Sequence, residues 1–226
     1  MNQNHPSLSF LDQLVSGNLD DTVSMVISSH TGSCKRCQDY MTKKEELLAN
    51  DLFISMPEQV TNVPDFSNLQ ESIMNSAEDT MTTAELPKLD NILQFKNKKI
   101  DLPANLQNMK KHMTPWKSFG SISYSKIDVH GASNMYFVHF EPGVKISEHS
   151  HEGNEYAYVL AGSFQDQHNE YITGDFASFS HDDSHHPYTE DPDGCMLLVS
   201  IDGPFVFKEG WARLLNPFRN LFFKKL

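Results

Sequence analysis

The chain is poor in cysteine and in basic residues. Its 226 residues include only three cysteines, Cys34, Cys37 and Cys195, which excludes the disulfide framework of a small secreted domain. Lysine and arginine number 18 against 30 acidic residues, and the formal net charge is -12. Because a protein that binds DNA or RNA directly normally presents a basic face, this charge disfavours direct nucleic-acid binding.

Long apolar runs are also missing from the sequence. No stretch approaches the roughly 20 apolar residues of a transmembrane helix, and Met1–Pro6 lacks the basic segment and apolar core of a signal peptide. We therefore expect a cytoplasmic protein without a transmembrane segment, in a reducing compartment. Residues 207–226 form an amphipathic tail that would suit a membrane surface. Pro217 interrupts a helix there, which favours packing of the tail on the folded protein.

The apolar pattern predicts an α + β multidomain protein. Residues 1–54 show helical spacing in three short segments, the third with Ser33 as a plausible N-cap. Residues 55–98 are rich in proline and polar residues and predict a linker, with one partner-contacting helix near 69–81. Residues 99–206 alternate in short strands, which is typical of an antiparallel barrel or jelly roll.

A first group of candidate metal ligands lies in the helical part. His30, Cys34 and Cys37 are spaced i, i+4 and i+7, so they converge whether one helix carries them or Gly32 divides two helices. Thiolates at a helix start are favoured by the helix dipole. A structural zinc ion takes four ligands, and His5 is the best fourth candidate. A redox role for Cys-x-x-Cys is the alternative, but the flanking βαβ pattern is missing.

A second group lies in the β-rich part. His149, His151 and Glu155 are separated by even numbers of residues, so an unbroken strand carries all three on one face. Two imidazoles and a carboxylate suit a divalent transition metal. If these side chains were instead an ordinary polar core, they would need many hydrogen bonds to offset desolvation.

Both groups resemble known families. Residues 5–50 resemble the zinc-binding anti-sigma domain, whose mark is His-x3-Cys-x2-Cys after a short leading helix that carries another histidine. This resemblance implies one zinc ion held by His5, His30, Cys34 and Cys37. The segment from Gly143 to Gly162 resembles the first cupin motif, Gly-x5-His-x-His-x3-Glu-x6-Gly, at every fixed position. The Ala161-Gly162 pair is itself a turn signal.

The second cupin motif is looser. It begins at Gly174 and places its last metal-binding histidine at His185, with the adjacent His186 and the more remote His181 as alternatives. Its usual proline, second glycine and closing asparagine are replaced by Ser180, Asp182 and Thr189. The resemblance implies a second divalent metal on His149, His151, Glu155 and His185. Three nitrogens and one oxygen suit zinc, iron, manganese or nickel, with zinc as the first expectation.

The order of the two parts resembles the ChrR type of anti-sigma factor. That resemblance implies a non-enzymatic protein that binds and inhibits an extracytoplasmic-function, RpoE-like sigma factor. It also implies release of the sigma factor when the cupin domain senses singlet oxygen or organic peroxide. The alternative is a metal-dependent cupin enzyme, a dioxygenase or isomerase, with a zinc-binding helical accessory domain. No general base or substrate clamp stands out beyond the metal ligands to support it.

Overall fold

The computed structural model describes residues 4–55, 66–69, 71–72, 74, 91–208 and 211–218. Three α-helices open the chain, and they are α1 (Leu8–Val15), α2 (Asp21–Thr31) and α3 (Lys35–Ser55). Asp20 caps α2 by accepting the Thr22 N–H at 3.0 Å. The predicted N-cap of the third helix is wrong by one residue, because α3 starts at Lys35. The Ser33 hydroxyl instead donates to the His30 carbonyl at 3.1 Å.

A 3₁₀ helix spans Ala104–His112. Most other described residues from 92 onward form an antiparallel β structure of the cupin type, so the predicted fold class is confirmed. Its strands are β1 (Ile92–Phe95), β2 (Lys98–Asp101), β3 (Lys117–Phe119), β4 (Ile122–Ile127), β5 (Asn134–Phe140), β6 (His149–His151), β7 (Glu155–Gln165), β8 (Glu170–Ile172), β9 (Phe176–Phe179), β10 (Cys195–Ile201) and β11 (Phe205–Phe207). The main sheet has the order β3-β4-β5-β10-β7-β8, with β9 also paired to β7. Strand β11 pairs with β6, and β1 with β2.

The two faces of the sheet bury different apolar clusters, as strand alternation requires. In β10, Leu197 and Val199 belong to the barrel interior, whereas Met196 and Leu198 belong to a second cluster outside the barrel. That second cluster includes Ile27 of α2. The helices therefore cover the outer face of the sheet.

This shared cluster joins the helices and the barrel. The sequence predicts a helical domain over residues 1–54; in the structure the described residues of 1–44 and 91–226 form one compact unit and those of 45–90 another. Two polar contacts reinforce the packing of α2 on the barrel. Thr22 Oγ1 lies 2.7 Å from Ser200 Oγ in a buried contact, and Asp20 accepts the Ala132 N–H at 2.6 Å at the surface. The predicted linker also ends too late, since β1 begins at Ile92.

The predicted helix over 69–81 falls only partly on residues that the structure describes. Leu69, Glu71, Ser72 and Met74 are helical, and their side chains are exposed. Residues 75–81 lie outside the described part. At the other end of the chain a 3₁₀ helix spans Trp211–Phe218, and the Asn216 side chain bonds the Phe207 backbone twice at 2.9 Å. Among the residues described, no helix is long and apolar enough to cross a membrane.

Gly162 is not a turn, contrary to its sequence signal. Strand β7 continues through it to Gln165, and the β7–β10 register shifts between Met196 and Leu197. Gly162 has φ +79, and a Cβ there would lie 2.0 Å from the Gly194 carbonyl oxygen. Only glycine allows this close approach of two backbones beside a β-bulge.

Candidate metal centres

The N-terminal cluster is assembled from three neighbouring segments. His30 lies in the last turn of α2, Cys34 directly precedes α3, and Cys37 lies in the first turn of α3. His5 comes from the segment before α1. The structure brings one ligand atom from each of the four within 4.8 Å of the others.

The spacing of these atoms suits a tetrahedral ion. His5 Nδ1 lies 3.2 Å from His30 Nε2, and the Sγ atoms of Cys34 and Cys37 lie 3.4 and 3.6 Å from His5 Nδ1. Cys37 Sγ lies 3.4 Å from His30 Nε2. Zinc–nitrogen distances near 2.0 Å and zinc–sulfur distances near 2.3 Å place tetrahedral ligand atoms roughly 3.3 to 3.8 Å apart. The observed separations fall close to that range.

His30 is held in its ligating orientation from outside the cluster. Its Nδ1 lies 2.8 Å from the Gly174 carbonyl oxygen. A carbonyl only accepts, so Nδ1 carries the proton and the Nε2 lone pair faces the cysteines. Burial lowers the pKa of His30, which keeps the ring neutral, as a metal ligand must be.

The two buried thiols need a positive charge if they are to ionise together. Burial, with Cys34 as a neighbour, raises the pKa of Cys37 to about 12. A divalent cation supplies that charge, since metal binding displaces thiol protons. The donor set of two sulfurs and two nitrogens therefore fits a structural metal. The redox alternative has less support, because helix α2 rather than a strand precedes Cys34.

The second cluster lies inside the barrel. His149 and His151 are the two ends of β6, and Glu155 is the first residue of β7. His185 is brought beside them by a backbone bridge, in which His149 N and His185 N each donate to the other residue's carbonyl at 3.0 and 2.9 Å. This bridge explains how a residue from the looser second motif reaches the first.

The ligand atoms of this cluster converge closely. His185 Nε2 lies 3.1 Å from the Nε2 atoms of both His149 and His151, and Glu155 Oε2 lies 2.9 Å from His151 Nε2. The Ser147 carbonyl accepts from His149 Nδ1 at 3.0 Å, so the His149 Nε2 lone pair faces the centre. The two nitrogen–nitrogen separations of 3.1 Å are close to the edge length of a metal coordination shell.

Hydrogen bonding does not account for the burial of these groups. Within the described residues, the Nδ1 atoms of His151 and His185 are buried without a hydrogen-bond partner. Burial lowers the pKa of His149 to about 3. Burial alone would raise the pKa of Glu155, but the histidines, His151 foremost, lower it to about 2. Neutral imidazoles beside a carboxylate are the forms that bind a cation, so the donor set fits a divalent metal.

The alternatives to His185 lie elsewhere. His186 is exposed, and His181 is exposed beside Asp182, with Nε2 to Oδ1 3.2 Å. The loop that lacks the motif's proline and second glycine is closed by Asp183, which accepts the backbone N–H and the hydroxyl of Ser180 at 2.7 and 2.8 Å.

Some residues near both clusters escape sequence reasoning. The ring of Phe205 lies 5.3 and 5.2 Å from the rings of His149 and His151, and Phe179 lies 4.0 Å from His185. The Gly174 carbonyl is a backbone atom, so its hydrogen bond to His30 leaves no mark in the residue pattern. The only signal was the position of Gly174 at the start of the second motif.

Comparison with known proteins finds similar sequences. Residues 108–204 match the family described as the ChrR cupin-like domain. The chain is 30% identical over 76 residues to the anti-sigma-E factor ChrR of Cereibacter sphaeroides. That match covers 34% of this chain and 36% of ChrR, so the chain spans about a third of the length of this curated relative.

Comparison with solved structures also finds matches. A chain from the crystal structure of Rhodobacter sphaeroides SigE in complex with the anti-sigma ChrR is 18% identical with a TM-score of 0.66, covering 89% of this chain and 100% of that one. An RmlC-like cupin protein from Ralstonia eutropha has a TM-score of 0.38 at 15% identity, covering 50% of this chain and 83% of that one. The predicted resemblance to ChrR-type anti-sigma factors is confirmed.

Proposed function

We propose that this protein is an anti-sigma factor that binds an extracytoplasmic-function, RpoE-like sigma factor and holds it inactive. The observation that carries the proposal is a closed Cys₂His₂ cluster on helices in the same chain as a ChrR cupin-like domain. The similar ChrR protein is named an anti-sigma-E factor, and the similar structure is a complex with SigE.

Zinc is the metal that we propose for the N-terminal cluster, because two thiolates and two imidazoles form a typical structural zinc site. When bound, zinc supplies a cross-link between the chain segments that contribute ligands. The end of α2, the start of α3 and the segment at His5 are the elements held together. The C-terminal half of α3 exposes four large apolar side chains, which suit contact with a protein partner. They are Leu47, Leu52, Phe53 and Ile54.

In the barrel we propose a second divalent metal, with zinc favoured, on His149, His151, Glu155 and His185. We further propose that this domain senses singlet oxygen or organic peroxide and triggers release of the sigma factor. Met135 and Met196 support a route for such a signal, because both are buried in the cluster shared with the helices. Oxidation would place a polar sulfoxide in that core.

The enzymatic alternative has less support. Tyr156 and Tyr158 pack in the apolar cluster that the sheet shares with the helices. The Tyr158 hydroxyl lies 3.4 Å from the Ser33 hydroxyl. The ring of His139 packs against that of Phe95 in the β1–β2 hairpin, with ring centroids 4.7 Å apart. These three polar strand residues, which could otherwise contact a substrate in the barrel, therefore face away from its histidine cluster.

The first test is co-purification of the full chain with the sigma factor, together with metal analysis. We expect two metal ions per chain, and Cys34→Ala to lose one ion together with sigma binding. Cys195→Ala is the matched control. Cys195 is also a buried free cysteine, but it lies in the apolar core of the barrel and belongs to neither group of metal ligands. Wild-type sigma binding by Cys34→Ala would contradict the proposal.

The sensing part has its own test. Exposure of the complex to photosensitised singlet oxygen should release the sigma factor from the wild type, and His149→Ala should weaken that release while sigma binding persists. An unchanged release in His149→Ala would overturn sensing through the barrel metal site and leave the anti-sigma function standing.

A further inference from the structure

The turn between β8 and β9 belongs to the barrel but contacts the N-terminal cluster. We use the name for residues 170–176, which comprise β8, the three connecting residues and the first residue of β9. This segment forms hydrogen bonds to both segments that supply histidines to the N-terminal cluster. We propose that this turn positions His5 and His30 for their metal, so that the metal affinity of the N-terminal cluster depends on the barrel. The inference rests on the proposed zinc site.

The first contact orients the His30 ring. The Gly174 carbonyl accepts from His30 Nδ1 at 2.8 Å, and the Gly174 N–H donates to the Val159 carbonyl at 2.8 Å. The direction of the accepting carbonyl is therefore fixed by β7. Gly174 has φ +94, a conformation that glycine adopts without strain.

The second contact fixes the residue before His5. The Asn4 side-chain amide donates to the Glu170 carbonyl at 2.8 Å and to Asp175 Oδ2 at 3.1 Å. The Asn4 carbonyl accepts the Phe176 N–H at 3.2 Å. A segment near a chain terminus is usually poorly ordered unless it is tied down. These three hydrogen bonds hold His5 in place on the barrel.

Asp175 joins the two contacts. It is fully buried, and Oδ2 also accepts the Ile172 N–H at 3.2 Å. Its backbone N–H donates to Ile172 and its carbonyl accepts from Val159. One side chain therefore shapes the turn that presents Gly174 and at the same time binds Asn4. Loss of outer partners of metal ligands typically lowers metal affinity by roughly 10- to 100-fold.

The test is a cobalt titration of the full-length protein, followed by competition with zinc. Thiolate-to-cobalt charge-transfer absorption reports only the cysteine-containing site, so the histidine cluster does not interfere. We expect Asp175→Ala and Asn4→Ala each to weaken binding by about tenfold without changing the shape of the spectrum. Asp175→Asn keeps an acceptor oxygen and should restore most of the affinity.

Asp166→Ala is the matched control. Asp166 is a buried turn aspartate at the other end of β8, where Oδ1 accepts the N–H groups of His168 and Asn169 at 2.7 and 2.8 Å. It should leave cobalt affinity within about twofold of the wild type, well short of the loss expected from an outer partner. Equal affinities in Asp175→Ala and wild type would overturn the inference, and so would an equal loss in Asp166→Ala.

Hydrogen exchange provides a test that needs no turn substitution. If the ordered turn raises the metal affinity of the cluster, then by linkage metal binding must stabilise the ordered turn by the same free energy. Zinc should therefore slow amide exchange at Val159 and Phe176 in the wild type but not in Cys37→Ser. Unchanged exchange in zinc-bound wild type would overturn the inference. A wild type without thiolate–cobalt absorption would overturn both the zinc site and this inference, whereas normal absorption with insensitive turn variants would overturn only the inference.

Discussion

The core shared by α2 and the barrel predicts that a substitution in a helix destabilises the barrel. Ile27 is fully buried in one cluster with Phe137 and Leu198 of the sheet. Ile27→Ala removes three carbon atoms, which at about 0.8 kcal/mol each corresponds to about 2.4 kcal/mol of lost transfer free energy. The cavity adds to this, so we expect a loss of about 3 kcal/mol, within the usual range of about 2 to 5.

The assay is denaturation of zinc-saturated protein, followed by two probes. Far-UV circular dichroism reports the helices, and Trp116 fluorescence reports the sheet in a Trp211→Phe background. Trp116 packs on Phe95, with ring centroids 4.4 Å apart. Both transitions should move together, with a fall in Tm of roughly 6 to 12 °C for about 3 kcal/mol in a protein of this size.

The control is Ile54→Ala, which makes the same chemical change at a side chain 83% exposed. It should alter the free energy of unfolding by no more than about 0.5 kcal/mol. If Ile27→Ala shifts the circular dichroism transition and leaves the Trp116 transition unmoved, helices and barrel unfold separately and the shared core is energetically unimportant.

Two further predictions concern the barrel. Because burial lowers the pKa of His149 to about 3, the metal-free folded state does not take the proton that the unfolded chain takes below about pH 6.5. The free energy of unfolding that His149 contributes above pH 6.5 is therefore lost as the pH falls towards 3. In urea titrations, His149→Phe should reduce the slope of the free energy of unfolding against pH by up to about 1.4 kcal/mol per pH unit. Equal slopes in the variant and the wild type would contradict this. Gly162→Ala should lower stability by about 1 to 3 kcal/mol more than Gly143→Ala in thermal denaturation, because Gly143 has a similar φ of +75 but no atom within 4 Å of the added Cβ. Equal losses would mean that backbone strain, rather than the close approach to Gly194, decides the cost.

Sequence reasoning worked where the relevant spacing is short. His149 and His151 share a face in any strand, and Cys34 and Cys37 lie about one helical turn apart in any helix start. These arrangements depend on local geometry, so the residue pattern is sufficient. Local spacing alone does not place the histidine of the second motif. His185 reaches His149 through a backbone bridge between residues 36 positions apart in the sequence.

The missed features are those that depend on distant backbone. Val26 and Ile27 predict a buried helix face but not the surface that covers it. Lys98 and Lys99 obscure the apolar alternation of β2, and the predicted linker over 55–98 therefore includes β1 and the first residue of β2. A glycine such as Gly162 suits a turn or a bulge equally well until its neighbour across the sheet is known.

The two clusters are linked by one short strand. Strand β9 begins at Phe176, which donates its N–H to the Asn4 carbonyl. It ends at Phe179, whose ring centroid lies 4.0 Å from that of His185. At about 3.3 Å per residue these two contacts are about 10 Å apart. If zinc stabilises the turn, it also stabilises the start of β9. By reciprocity, a change at His185 alters zinc affinity only to the extent that it displaces β9, so exchange at the Phe176 amide measures the coupling between the clusters directly.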